Sequence, residues 1–116
     1  MKPIASAKVD APEPQVVRLA DLVAYQDGSV VSRQLLKKDA GSVTLFAFAA
    51  GQGLSEHTAP FDALVHVLDG EADVVIAGER FRLGAGDAIV MPANRPHSLD
   101  AVTPFRMLLT MIRTPS

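Results

Sequence analysis

The sequence predicts an all-β domain, a sandwich or barrel of short strands. Three observations carry that prediction. Turn signals recur at short, regular intervals from residue 30 onward. The eight Gly and eight Pro fall where they forbid a long helix. The 116 residues, 48% of them apolar, supply one core and leave no room for two domains.

Residues 1–14 read as an Ala/Pro-rich tail, flexible or draped, with Pro3, Pro12 and Pro14 among Ala5, Ala7 and Ala11. The single domain is placed at 15–116. Val16–Leu19 suits a strand, and Ala20–Tyr25 one helical turn. Asp27-Gly28 is a turn signal. Strands are then expected at Val30–Leu36, Ser42–Ala50, Ala63–Leu68, Ala72–Ile76, Arg80–Leu83, Ala88–Met91, His97–Val102 and Phe105–Ile112. Gly, Pro and Asp punctuate the gaps between them. Asp69-Gly70 carries a two-residue hairpin signal between Ala63–Leu68 and Ala72–Ile76.

Two of these strands are apolar on both faces. In Ala63–Leu68, Ala63, Val65 and Val67 point one way, and Leu64, His66 and Leu68 the other. In Phe105–Ile112, Met107, Leu109 and Met111 alternate with Arg106, Leu108, Thr110 and Ile112. A sheet with one wet face alternates apolar and polar residues, so these strands need a second cover. A homodimer supplies one. Within it, residues 16–36 can cross to the partner and add a strand; the rival cover is that same segment folded back on its own barrel.

Composition narrows the partners. The net charge is −2, and Lys37-Lys38 is the only adjacent basic pair. Nucleic-acid binding therefore lacks electrostatic support. No apolar run approaches a membrane span, and residues 1–8 hold no stretch of signal-peptide length. The expectation is a soluble cytoplasmic protein. The absence of Cys excludes disulfides, iron–sulfur clusters and a Cys nucleophile.

Two spaced motifs lie between Gly51 and Ala101. In the first, Gly51, His57 and Gly70 are separated by five and twelve residues. In the second, Gly86, Pro92 and His97 are separated by five and four. With the phrases Val67-Leu68-Asp69-Gly70-Glu71 and Gly86-Asp87-Ala88-Ile89-Val90-Met91-Pro92-Ala93, this stretch resembles the small single-domain cupins of the RmlC-like superfamily, conserved-barrel type. The resemblance implies a double-stranded β-helix, or jelly-roll barrel, of six to ten strands. It also implies a dimer, and a site of three His and one Glu for one divalent transition metal ion.

Several residues depart from that pattern. The second His position is Ala59, and the Glu position is Ala63. The second motif's Gly and Asn are Asn94 and Ala101. His57 and His97 alone remain of the implied ligands. Catalytic metal sites usually present three protein ligands, so this set is poor. His66 and Asp62 lie near Ala63, but strand alternation turns both to the opposite face. Glu56 flanks His57 and faces away from it. Asn94, at a Gly position, suits a left-handed backbone. Arg95 beside it is read as a solvated surface residue, with anion binding as the alternative. Met91, Met107 and Met111 are read as core, giving an adaptable wall wherever they face inward.

The favoured function is a small-molecule-binding barrel whose partly lost metal site centres on His57 and His97. The alternative is a metal-dependent dioxygenase or isomerase, with water completing the ligand set. A metal-free enzyme, with one His as general base, lacks an identifiable carboxylate partner. A structural dimer without chemistry is the remaining possibility.

Overall fold

The computed structural model describes residues 13–115. Among them are nine strands: β1 (Val30–Lys38), β2 (Gly41–Phe48), β3 (Gly53–His57), β4 (Phe61–Asp69), β5 (Glu71–Ile76), β6 (Glu79–Gly84), β7 (Ala88–Met91), β8 (His97–Ala101) and β9 (Phe105–Arg113). The all-β expectation holds. The tail placed at 1–14 lies almost wholly outside the described residues.

The strands form a five-stranded sheet, β1-β2-β9-β4-β7, and a four-stranded sheet, β3-β8-β5-β6. Every neighbouring pair is antiparallel. The sheets face one another across one core, where Val65, Val67 and Met107 meet Ala72, Val74 and Leu99. Phe48 and Phe105 stack in it with ring centroids 4.5 Å apart. Burying each such ring stabilises the fold by roughly 1.5–3 kcal/mol. Among the described residues no ladder joins one sheet to the other, so the sheets are layered rather than closed into a continuous barrel.

The hairpin expected at Asp69-Gly70 does not form. β4 and β5 lie in different sheets, and the chain crosses between layers there. Gly70 has φ +80°, and a Cβ on it would lie 2.0 Å from the Pro104 carbonyl oxygen. The glycine thus serves a close crossing rather than a hairpin. The two-residue hairpin is one turn later. Ala77 (φ 49°) and Gly78 (φ 84°) link β5 to β6, with Ile76 opposite Glu79. Positive φ at both central residues is the geometry that matches strand twist.

Residues 13–18 carry no regular structure, so the strand expected at Val16–Leu19 is absent. Leu19–Leu22 make one 3-10 turn, close to the helical turn expected nearby. Leu19, Leu22 and Val23 pack over Leu45, Ala47, Leu68 and Leu108 on the outer face of the five-stranded sheet. Arg106 Nε donates to the Val23 carbonyl at 3.1 Å, and Arg33 donates to that of Leu22 at 2.5 Å. The Tyr25 hydroxyl donates to Asp69 at 2.7 Å. The chain's own N-terminal segment therefore covers one end of this face.

The other end stays open. Leu36, Val43, Thr110, Leu64 and Val90 are successive cross-strand partners across all five strands. Leu64, Val90 and the adjacent Ile112 are 41%, 54% and 62% exposed. Among the described residues, no helix is long and apolar enough to cross a membrane.

Candidate functional site

The two sheets diverge around a cavity of about 40 Å³. The four-stranded sheet contributes its histidines. His57 ends β3, His97 begins β8, and the two are cross-strand partners. Their rings meet edge to face, with centroids 4.4 Å apart. His97 is buried and His57 exposed, so the pair runs from the interior to the rim.

A bulge in β3 sets this geometry. Leu54 pairs with Leu99 and His57 with His97, leaving one extra residue on β3 between the two pairs. Regular alternation would turn Leu54 and His57 to opposite faces. The bulge re-aims one of them, and both line the cavity.

Both rings are oriented by backbone carbonyls two residues earlier. His57 Nδ1 donates to the Ser55 carbonyl at 2.8 Å, and His97 Nδ1 to that of Arg95 at 3.1 Å. A carbonyl only accepts, so each neutral ring carries its hydrogen on Nδ1. That leaves Nε2 with a free lone pair. Burial, above all, holds His97 below the usual imidazole range. The charge His57 can carry lowers it further, against the hydrogen bond to Arg95. His97 is therefore neutral near neutral pH.

The facing wall comes from the five-stranded sheet. Ala63 of β4 lies between Met91 of β7 and Met111 of β9, its partner on either side. All three line the cavity, as does Met107. Phe61 and Ala59 close the wall on the loop side. Among the described residues, the only polar side chains on the lining are the two histidines.

The structure thus brings His57 and His97 together and leaves the other candidates out. His66 faces the outer surface of the sheet, in register with Leu108 and Ala88. Asp62 accepts a hydrogen bond from the Ala93 amide at 2.9 Å, tying down the loop before β8. Glu56 is exposed and does not line the cavity. Arg95 lines a separate open groove with Glu79 and Phe81. Asn94 adopts φ 64°, the left-handed backbone its position calls for. Among the described residues, no group of three or more His, Cys, Asp or Glu is placed to hold a metal ion. A site of three His and one Glu for one divalent transition metal ion does not fit these residues. Leu54 and Phe61 escaped the sequence reading. Phe61 was within reach, two residues before Ala63 on the same face, whereas Leu54 depends on the bulge.

Comparison with known proteins agrees with this fold. The cupin domain family matches residues 44–112. A conserved protein of unknown function from Streptococcus pyogenes is 33% identical, over 97% of this chain and 99% of that one, with a TM-score of 0.86. A cupin superfamily protein from Desulfitobacterium hafniense is 28% identical over 93% and 100%, with a TM-score of 0.84. A cupin 2 conserved barrel domain protein from Leptotrichia buccalis is 41% identical, over 82% of this chain and 46% of that one, with a TM-score of 0.80. No curated protein matches.

Proposed function

The chain belongs to the cupin domain family, and on that premise we propose a small-molecule-binding protein with a partly lost metal site. Its fold is taken as the jelly-roll, double-stranded β-helix type, acting in the cytoplasm as a homodimer. One observation carries the functional reading. The cavity is apolar except for two imidazoles whose free Nε2 atoms are hydrogen-bond acceptors. Apolar walls with a few placed polar groups are the general form of a ligand pocket.

The chemistry selects a ligand class. A neutral Nε2 accepts and does not donate, so it rewards a hydroxyl or N–H on the ligand. The cavity is small, so the ligand is compact and enters by the exposed His57. Leu54 and Phe61 flank its apolar part, and Met side chains yield to its shape.

Phenol tests the reading, its hydroxyl directed into the cavity and its ring held at the open rim beside His57, with toluene as control. Phenol is expected to shift the amide resonances of β3 and β8 and to raise the melting temperature. The His57→Ala/His97→Ala variant should bind phenol roughly tenfold more weakly, the loss of about 1.4 kcal/mol of hydrogen bonding. Equal binding of phenol and toluene, or phenol binding unchanged in the variant, defeats the proposal.

A further inference from the structure

Resting on the same cavity, we propose that it is a site for monovalent copper, Cu(I), held by His57, His97 and methionine thioether sulfur. The position where the family has a carboxylate is Ala63. Its cross-strand partner on one side is Met91 and on the other Met111. Both line the cavity, opposite the histidine pair. The hard oxygen donor is therefore absent, and two soft sulfur donors flank its place.

Softness decides which metal fits. Thioethers favour Cu(I), whereas carboxylates and water suit harder divalent ions. Imidazole serves copper as well, and both Nε2 lone pairs are left free by the Nδ1 hydrogen bonds to Ser55 and Arg95. Those carbonyls are the outer-shell partners that fix a ligating ring.

Charge points the same way. The lining carries no carboxylate or thiolate to offset an ion, so its full charge stays in the cavity. The desolvation cost of an ion scales with the square of its charge. A monovalent ion meets about a quarter of the penalty of a divalent one. Cu(I), with a filled d shell, also accepts two or three ligands and needs no water to complete its set.

The cavity has room for an ion. The about 40 Å³ of space exceeds what one water needs, and hence what one ion needs. Methionine has three rotatable side-chain bonds, so its sulfur can move toward an ion between facing walls.

The test is an anaerobic competition for Cu(I) against the chromogenic chelator bicinchoninate, using the whole chain. The wild type is expected to retain one equivalent of Cu(I). The Met91→Leu/Met111→Leu variant, nearly volume-conserving, should bind roughly tenfold more weakly or worse, about 1.4 kcal/mol. His57→Ala/His97→Ala should lose the ion to the chelator. Copper X-ray absorption on the wild type should show sulfur together with nitrogen scatterers, an answer that needs no variant to fold. Complete loss of Cu(I) from the wild type, a nitrogen-only shell, or Zn(II) bound as tightly in the same cavity overturns the proposal. Phenol binding by the metal-free protein is measured separately, so either idea can fail while the other stands.

Discussion

His97 places a protonatable ring in the interior, and its environment fixes how stability responds to acid. Burial and the neighbouring His57 hold its native pKa below the ordinary 6.5. The unfolded chain then binds a proton that the native state resists. The contribution is fully present above the ordinary value and is lost as pH falls toward the depressed native one. Urea unfolding should therefore show the wild type losing more stability between about pH 7 and pH 5 than His97→Gln. Parallel pH profiles for the two proteins would show that the ring is not held neutral by the fold. Proton uptake here also removes the Nε2 lone pair, so ligand or ion binding should weaken over the same window.

Between residue and sheet lies the N-terminal segment, which one cluster clasps. Tyr25 donates to Asp69, Arg106 bonds both Asp69 and the Val23 carbonyl, and the Arg106 guanidinium lies 4.4 Å from the Tyr25 ring centroid. Burial and then the Asp69 hydrogen bond push Tyr25 up to about 12. A raised native pKa stabilises below the ordinary 10 and ceases to do so as pH climbs through the native value. Tyr25→Phe removes the hydroxyl but keeps the ring. It should speed amide exchange in residues 19–25 while changing global stability by less than about 1 kcal/mol. Unchanged exchange in that segment would show that apolar packing alone holds it.

Most elements were legible because Gly, Asp and Pro act locally. The expected Ala88–Met91 coincides with β7, and Phe105–Ile112 differs from β9 by one residue. The strand the sequence did not announce is β3, whose bulge breaks the alternation that marks a strand. Asp69-Gly70 misled for a related reason. A glycine with positive φ serves a hairpin or a close crossing equally well, and only the distant Pro104 and Phe105 distinguish them. The histidine pair was legible through the resemblance of its two motifs to the cupin family, which implies one shared site for both. The two methionines beside Ala63 were not, because their meeting depends on register across three strands.

At the scale of the whole molecule, the open end of the five-stranded sheet is the largest unmet demand. Leu64, Val90 and Ile112 are about half exposed; Leu64 and Val90 share a cross-strand row with Leu36 and Val43, and Ile112 lies beside it. A second copy related by a two-fold axis covers such a face on both partners at once. Six half-exposed side chains, three from each copy, contribute roughly 1 kcal/mol apiece when covered. That is less than the roughly 8 kcal/mol of a micromolar dimer. A dimer on this face would therefore need to extend along the whole row, to Leu36 and Val43. Removing the apolar centre should then suffice to split it. Light scattering at micromolar concentration is expected to give twice the chain mass for the wild type. Leu64→Glu/Ile112→Glu should give the single-chain mass with its strand content intact, since both positions face outward. A wild type at single-chain mass would rule the dimer out, leaving Leu19, Leu22 and Val23 as the cover this face has among the described residues.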